Sequence, residues 1–387
     1  MATSPARRLT ELRLVAQGIS TPAADTPGEV VRRLLALQGQ DYPGVLWSVG
    51  LRMRQPQRSA VEAALATGDI VRSWPMRGTL HVLPAEDLGW LLSLTTERLI
   101  REATTRRKQL ELDDRTIEAA REVAIGALTG GRILIRTALL GEFEAAGIST
   151  ARQRGYHLLW HLSQTGTLVF GPAEGAAQTF TLSSEWIPNP RRLEADEALA
   201  ELAVRYFTGH GPATVHDLAW WASITVTQAR AALASVRDRL EQLTVDGTDY
   251  YLHADTLEAP AAGAGARAAV HALPGFDEFL LGYRDRSAAL RPDQQLVVVP
   301  GGNGMFAPTI VDNGSVIGVW RKRQTGSGIR VTAEPFAPLS KRATSGFTRA
   351  LKRYGEFLGQ PVTLDTLSEL SSSARCRTRS AHRCCRY

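Results

Sequence analysis

The stretch that decides the fold is residues 133–182, ILIRTALLGEFEAAGISTARQRGYHLLWHLSQTGTLVFGPAEGAAQTFTL. Apolar residues at helical spacing predict one helix over 133–147 and a second over 151–165. Between them Gly147-Ile148-Ser149 reads as a turn, with Ser149 or Thr150 as the N-cap of the second helix. Apolar runs at 168–170 and 178–182 flank the Gly-rich segment GPAEGAAQ, which predicts a hairpin. This order of elements is typical of a winged helix-turn-helix unit.

A similar order occurs near the start of the chain. In residues 8–83, helices over 29–37 and 59–66 precede the extended stretch IVRSWPMRGTLHV (70–82), which bends at Pro75 and Gly78. The first of these helices follows Thr26-Pro27, an N-cap followed by Pro at the first helical position. Residues 85–129 then carry apolar residues at helical spacing and predict a connecting helix pair.

A third unit covers about 194–255. Thr214 is placed to cap a helix that runs through Trp221, and a second helix is predicted over 227–240. Two short strands then flank Asp246-Gly247, a dipeptide that strongly favours a hairpin turn.

The remainder of the folded chain is predicted to be β-rich. Residues 257–270 (LEAPAAGAGARAAV) read as a flexible linker. Strands are predicted over 295–299, 308–311, 315–320 and 329–333, with RKRQTGSG (321–328) as a polar hairpin tip, and a helix over 345–358 follows. We therefore predict a mainly α, α+β protein with winged-helix units at 8–110, 111–190 and 191–256, a linker at 257–270, a β-rich domain at 271–365 and a disordered tail at 371–387.

The charge balance does not by itself indicate a nucleic-acid partner. The 387 residues carry 45 basic and 39 acidic side chains, a net charge of +6. The tail 371–387 holds five Arg and no acid, so the rest of the chain has 40 basic and 39 acidic residues and a net charge of +1. A DNA-binding face must therefore come from the placement of charges rather than from their sum.

Several classes of protein are disfavoured by the sequence. All three Cys lie in the tail, so the body offers no thiol nucleophile or Cys-based zinc site. No apolar run approaches the ~20 residues that cross a bilayer, and the first residues lack the apolar core of a secretory signal, so we expect a cytoplasmic protein with no membrane contact. Walker, GxGxxG and HExxH motifs are absent from a fitting context, and His210, His216 and His271 are isolated, so no metal or cofactor is expected.

The segment Gln38-Gly39-Gln40-Asp41 has little meaning alone, because Gln residues near a predicted helix end are usually solvated or capping. Its context raises its interest. The same unit contains SWPMRGTLHVL (73–83), which brings Arg77, Thr79 and His81 onto one extended segment.

Four segments in order resemble the AlkZ/YcaQ family of bacterial DNA glycosylases over about residues 8–360: QGQD (38–41), SWPMRGTLHVL (73–83), PGFDEFLLGYRDR (274–286) and PGGNGMFAPTIVDNGSVIGVWRKR (300–323). The resemblance implies three tandem winged-helix units in a C-shape with a β-rich C-terminal part. It also implies hydrolytic removal of N7-alkylated purines, including bulky adducts, and, in the AlkZ-like branch, the unhooking of interstrand crosslinks formed by alkylators such as azinomycin. The family's Gln-aliphatic-Gln motif falls on Gln38 and Gln40, and Gly39 departs from it.

The chemistry of such a lesion suits two neutral amides. An N7-alkylated guanine is already cationic, so its glycosidic bond is weak and the base leaves neutral. Side-chain amides can then hold a water against C1′, and their dipoles favour positive charge on the sugar. Asp41 is a second candidate for polarising the water, and Arg77 and His81 are candidates for support. No Lys precedes Lys108, so a monofunctional enzyme is expected.

Contacts to duplex DNA carrying an alkylated or crosslinked guanine are predicted on two elements. The hairpin tip with Arg321, Lys322, Arg323 and Gln324 is a candidate for groove contact, although it could equally be a solvated turn. Arg152 and Arg154, at the start of the helix over 151–165, are candidates for phosphate contact.

Two other functions stay open at this stage. A winged-helix transcriptional regulator is the main alternative to an enzyme, although no ligand-sensing domain is evident, and a nucleoid protein is disfavoured by the near-neutral body.

The role of residues 283–286 also stays open. They could form a buried Arg-Asp network near the site or serve the core. Trp220, Trp221 and Trp320 are expected to pack in cores, and the protein is expected to be a monomer.

Overall fold

The computed structural model describes residues 4–175, 177–258, 270–302 and 304–365, in which helices and strands are mixed as predicted. The helices are α1 (Pro5–Ala16), α2 (Pro27–Leu34), α3 (Tyr42–Gly50), α4 (Arg58–Thr67), α5 (Leu88–Glu102), α6 (Thr104–Gln109), α7 (Asp114–Leu128), α8 (Arg136–Ala145), α9 (Arg154–Gln164), α10 (Ser183–Trp186), α11 (Ala195–His210), α12 (Val215–Ala222), α13 (Val226–Ser235), α14 (Ala254–Glu258), α15 (Glu278–Leu281), α16 (Gln295–Val298) and α17 (Lys341–Leu358). The strands are β1 (Leu37–Gln38), β2 (Ile70–Met76), β3 (Thr79–Pro84), β4 (Leu134–Ile135), β5 (Leu168–Phe170), β6 (Thr179–Leu182), β7 (Glu241–Val245), β8 (Thr248–Leu252), β9 (Val270–Leu273), β10 (Thr309–Asp312), β11 (Ser315–Thr325), β12 (Gly328–Pro335) and β13 (Val362–Leu364). The predicted tail 371–387 and most of the predicted linker lie outside the described residues.

The first unit departs from its prediction around the Gln-Gly-Gln segment. Thr26 caps α2 as predicted, but α2 ends at Leu34 because Leu35 turns the chain with a φ of 64°. Gln38 therefore lies on the short strand β1 and not at a helix end. The following helix α3 was not predicted. Its residues 44–50 are all buried, so the amphipathic period that reveals a surface helix is missing.

The extended stretch 70–82 folds as the hairpin β2–β3. Its turn is Arg77-Gly78, with φ values of 53° and 65°, between the paired residues Met76 and Thr79. Two successive positive φ values define a type I′ turn, which matches the twist of a hairpin. The predicted bend at Gly78 is confirmed, and Arg77 occupies a left-handed conformation that L-residues seldom adopt.

In the second unit both helices form over shorter ranges, and the hairpin β5–β6 is confirmed. The prediction of helix over 134–135 is wrong, because these residues pair with β6 as strand β4, and the predicted N-cap of α9 is also wrong. Gln153, with a φ of 72°, precedes α9 and makes no capping hydrogen bond, while Thr150 donates to Glu144 of α8. In the third unit Thr214 caps α12 as predicted. Thr225 caps α13, which ends at Ser235, and Asp246-Gly247 turns the hairpin β7–β8.

One sheet joins the first two units, with strand order β1-β3-β2-β5-β6-β4. The two units meet where β2 of the first unit pairs with β5 of the second, with Arg72 opposite Phe170. At the other edge β1 pairs with β3, which places Gln38 opposite His81. This sheet therefore positions the Gln-Gly-Gln segment.

The C-terminal part is a five-stranded sheet with order β13-β12-β11-β10-β9. The predicted strand at 295–299 is wrong: these residues form α16, whose Leu296 and Val297 are 70% and 47% exposed and are not covered by a second layer. The predicted tip at 321–328 is also wrong in extent, because β11 continues to Thr325 and pairs with β12 until Gly328. The basic residues 321–323 are therefore strand residues.

The C-terminal part packs directly on the first unit. Trp47 of α3 and Trp320 of β11 donate their Nε1–H groups to the carbonyl oxygens of Ala272 and Leu273 on β9, at 2.9 and 3.0 Å. Both indoles contact Tyr354 of α17 in one shared core. Among the described residues, no helix is both long and apolar enough to span a bilayer.

Candidate functional site

Gln38 lies at the centre of the candidate site. Only 7% of the residue is exposed. Its backbone N–H donates to Glu278 Oε1 at 3.1 Å, and its side-chain Oε1 accepts a long, 3.4 Å hydrogen bond from Arg77 Nη2. Because an amide oxygen has two lone pairs, Gln38 keeps one acceptor position and its NH₂ group for other partners.

Arg77 connects this strand to the third unit. From the β2–β3 turn, its Nη1 donates to the carbonyl oxygen of Trp221 at 2.8 Å, and its guanidinium lies 5.1 Å from the ring centre of Trp220. Within the described chain, no carboxylate forms a salt bridge with it. Burial lowers the pKa of Arg77, and the charge of Glu278 opposes that change. The hydrogen bonds of both Nη groups hold Arg77 in place despite its strained φ.

His81 is completely buried and neutral. Its Nδ1 lies 3.0 Å from the carbonyl oxygen of Thr79, and its Nε2 lies 3.0 Å from Arg77 Nη2. Arginine only donates, so Nε2 accepts and the proton is on Nδ1. Burial and the Arg77 charge lower the pKa of His81 to about 3. His81 therefore orients Arg77 and is not a proton donor at neutral pH.

Glu278 is the site residue that the sequence analysis missed. It is fully buried at the start of α15, where its carboxylate accepts from Gln38 N–H, from Trp221 Nε1 at 2.8 Å and from His210 Nε2 at 3.3 Å. Burial alone would raise its pKa, but the hydrogen bond and charge of His210 and the charge of Arg77 lower it to about 2. His210 is thus not isolated. The PGFDEF segment contained Glu278, but nothing local marked it, because its partners lie far away in sequence.

Gly39 is held on both sides. Its N–H donates to the carbonyl oxygen of Leu80 at 2.7 Å, and its own carbonyl oxygen accepts from Arg72 Nε at 3.0 Å. A Cβ added at Gly39 would lie no closer than 3.5 Å to Val82 and the His81 backbone, an ordinary contact distance. The glycine therefore does not loosen the motif, and the position would accept a side chain.

Gln40 faces a different environment. It is exposed, and its Oε1 accepts a long, 3.4 Å hydrogen bond from Leu80 N–H. It lines a cavity of about 160 Å³ together with Trp74, Tyr156 and Arg136. Asp41 comes next, at the N-cap position of α3, and its side chain makes no capping hydrogen bond. Gln38, Arg77 and His81 thus meet in one network, whereas the side chains of Gln40 and Asp41 make no hydrogen bond to it.

Comparison with known proteins settles the family. The chain matches the family of AlkZ-like DNA glycosylases over residues 31–357. This chain belongs to the AlkZ-like DNA glycosylases. It is similar to the interstrand DNA cross-link repair glycosylase of Streptomyces sahachiroi, with 28% identity over 331 residues that cover 81% of this chain and 87% of the relative. The solved structure of Streptomyces sahachiroi DNA glycosylase AlkZ has the same fold, with a TM-score of 0.77 and 24% identity over 94% of this chain and all of that one.

An AlkZ-like DNA glycosylase hydrolyses the bond between a base and its deoxyribose, so the prediction of a DNA glycosylase is confirmed. The alternative of a non-enzymatic regulator is not favoured. The two amides, Gln38 and Gln40, are the residues on which the sequence prediction of catalysis rested. The family membership does not test that assignment, which stays a prediction.

The side chains of this AlkZ-like chain that are predicted to contact DNA differ in whether they already bond to another residue. Arg321 pairs with Glu334 at 2.7 Å, and Lys322 Nζ donates to Tyr354 Oη at 2.8 Å. Gln324 donates to Gln360 at 3.1 Å. The side chain of Arg323 is exposed and makes no hydrogen bond or ion pair with the described residues.

The two arginines before and in α9 also differ. The guanidinium of Arg154 donates to the backbone carbonyl oxygens of Ser149, Leu110 and Glu111. Most of its N–H groups are therefore already bonded to the protein backbone. Arg152 is exposed, with a φ of 50°. Arg152 and Arg323 are therefore the better placed of the predicted basic contacts.

The suggested Arg-Asp network at 283–286 does not form. Arg284 and Asp285 are exposed, and only their backbone N–H groups bind Asp217 Oδ1. Arg286 instead lies 5.0 Å from the ring of Trp220. A buried Arg-Asp pair does exist, between Arg52 and Asp277 at 2.9 Å. Trp221 and Trp320 pack in cores as predicted, whereas Trp220 is half-buried between two arginines at the site.

Proposed function

We propose that this glycosylase hydrolyses the N-glycosidic bond of N7-alkylated, cationic purines in duplex DNA, including bulky adducts and interstrand crosslinks. The observation that carries the proposal is the uncharged amide of Gln38, held next to a buried, ionised Glu278, with a second uncharged amide, Gln40, two residues further along and exposed. The similarity to an interstrand cross-link repair glycosylase supports the crosslink as substrate. Such an enzyme would act as a monomer on cytoplasmic DNA and could protect a cell against its own alkylating product.

In the proposed reaction, Gln38 and Gln40 orient a water molecule toward C1′. The water oxygen bonds to C1′ as the bond from C1′ to the base nitrogen breaks. The electron pair of that bond neutralises the cationic base, and the water proton passes to solvent. Because the base leaves neutral, no general acid is needed, which agrees with a His81 imidazole that is uncharged at neutral pH.

Glu278 would contribute through its charge. Its carboxylate is one hydrogen bond from the backbone of Gln38, and it stays ionised throughout the physiological range. A fixed negative charge near the sugar stabilises the positive charge that develops there. Glu278 also fixes the position of Gln38, so we assign it as a positioning residue that adds a favourable field.

For DNA binding, we propose that the helix-turn-helix and hairpin segments act as three tandem winged-helix units arranged in a C-shape. The exposed Arg323 on β11 would contact a groove, and Arg152 would contact a phosphate. Arg321 and Lys322 are weaker candidates for DNA contact, since their side chains already bond to Glu334 and Tyr354. Asp41 remains a candidate for catalytic support, beside the motif.

The direct test is base release from duplexes that contain 7-methylguanine or an alkylation crosslink. Abasic sites are counted after alkali treatment. The wild type should release both lesions, and Gln38→Ala and Gln40→Ala should lose activity while keeping DNA affinity. Equal release by all three proteins would refute the assignment of the two amides. A covalent adduct trapped by borohydride would refute a monofunctional mechanism.

A further inference from the structure

A second cavity lies beside Tyr42, shortly after the Gln-Gly-Gln segment, and shares Gln178 with the first. Its volume is about 130 Å³. Tyr42 of α3 and Arg72 of β2 line one side, and residues between 171 and 179 of the second unit line the other. The cavity is open to solvent, so a small polar group can enter it from outside.

Arg72 is the unusual residue of this cavity. Only 7% of it is exposed, and its guanidinium lies between the rings of Phe170 and Tyr42, at 5.0 and 5.4 Å from their centres. Its one hydrogen bond to the described residues runs from Nε to the Gly39 carbonyl oxygen. No carboxylate of the described chain lies within salt-bridge distance of it. Burial lowers the pKa of Arg72 only to about 10, so the side chain remains charged at neutral pH.

Two further polar groups line the same cavity. The Tyr42 hydroxyl and the Gln178 side-chain amide are both half-buried, and neither makes a hydrogen bond with the part of the chain that the structure describes. Both can donate to an acceptor in the cavity, as can the two Nη groups of Arg72. A buried cation is normally paired, and planar guanidinium groups pair best with carboxylate or phosphate oxygens.

We propose that Arg72, Tyr42 and Gln178 form a binding site for one phosphodiester group of the DNA strand that carries the lesion. The inference rests on the proposed function, because DNA is the polyanion that the enzyme must hold. The site also has a positional consequence. Arg72 holds Gly39 through Nε, so a phosphate on its Nη groups fixes the strand at a set distance from Gln38 and Gln40.

The test combines protein variants with single methylphosphonate substitutions, which remove the charge of one phosphate at a time around a 7-methylguanine. Arg72→Gln should weaken duplex binding roughly 10- to 100-fold, as for a lost charge-assisted hydrogen bond. The slope of log affinity against log salt should fall by about 0.9. At one methylphosphonate position the wild type should lose as much affinity, and Arg72→Gln should lose nothing further. Arg98→Gln, an exposed α5 arginine paired with Glu102, is the control and should match the wild type at every position.

Tyr42→Phe and Gln178→Ala guard against a folding defect, because they leave the bond from Arg72 to Gly39 intact. Each should cost a few-fold in affinity, and only when the same phosphate is charged. If every phosphate position affects the wild type and all variants equally, the proposal is wrong. An Arg72→Gln defect that persists undiminished on every methylphosphonate duplex would also overturn it, since it would show that Arg72 acts only through Gly39. A wild type that shows the phosphate coupling but releases no base would refute the proposed function and leave this site standing.

Discussion

Replacing Glu278 by Gln keeps the shape of the side chain and removes its charge. The carboxylate accepts three hydrogen bonds, from Gln38, Trp221 and His210. In the variant the new NH₂ group must face at least one of these donors, so one or more buried donors lose their acceptor. The change therefore tests both the stability of the site and its electrostatics.

The loss of stability follows from the pKa. Glu278 has a pKa of about 2 in the fold and an ordinary value of 4.5, a difference equivalent to about 3 kcal/mol. Because the folded pKa is the lower one, this stability is fully present above pH 4.5 and is lost as the pH falls from there through 2. Glu278→Gln should therefore be less stable than the wild type by about 3 kcal/mol at pH 7. Near pH 4 the difference in unfolding free energy between the variant and the wild type should be about 1 kcal/mol smaller than at pH 7.

The expected loss of activity in Glu278→Gln follows from the electric field of the carboxylate. Taking the carboxylate to lie about 10 Å from the reacting sugar, its unit charge contributes about 1.7 kcal/mol at an effective dielectric constant of ~20, which corresponds to a rate loss of about 20-fold. Urea unfolding measured by circular dichroism over this pH range, and single-turnover base release at neutral pH, check the two numbers. Glu97→Gln, whose side chain is 85% exposed, is the matched control. If Glu278→Gln has wild-type stability at every pH and a wild-type rate, the account of Glu278 is refuted.

Three other predictions concern the same site and its DNA contacts. His81 and Glu278 should contribute no titration to base release between about pH 5 and 8, because their pKa values are about 3 and 2; an inflection in that window under single-turnover conditions that disappears in a His81 or Glu278 variant would contradict this. Gly39→Ala should keep activity and raise the free energy of unfolding by about 0.4–1 kcal/mol, because the added Cβ fits and the unfolded chain loses freedom; a less stable or inactive variant in urea and rate assays would be evidence against the fit. Arg323→Ala should lower DNA affinity with no change in the unfolding midpoint, whereas Arg154→Ala should lower that midpoint, since Arg154 binds backbone carbonyls; the reverse pattern in binding and melting experiments would refute the assignment.

Elements with strong local signals could be predicted from the sequence. The turn Asp246-Gly247 and the cap Thr214 act on their neighbours, so their hairpin and helix were predicted correctly. By contrast, α3 is buried on every side and carries no period, and the run 295–299 is β-branched but folds as a short helix. In α3 tertiary packing hides the local pattern, whereas 295–299 departs from its β propensity with two of its apolar side chains exposed.

The same distinction applies to the site. Gln38 and Gln40 could be singled out because they belong to a recognisable segment. Glu278 could not, because it meets Gln38 across 240 residues of sequence. Arg72 was likewise hidden in an ordinary strand, and only the fold shows that its guanidinium is buried without a carboxylate among the described residues.

The central claim is that two neutral amides act together to direct water onto the sugar. The decisive measurement is the single-turnover rate of 7-methylguanine release for wild type, Gln38→Ala, Gln40→Ala and the double variant, with DNA affinity measured in parallel. The account predicts that each single variant loses roughly 10²- to 10³-fold in rate at unchanged affinity, and that the double variant is hardly worse than either, because the two residues act as a unit. Rates within a few-fold of the wild type for both single variants would contradict it.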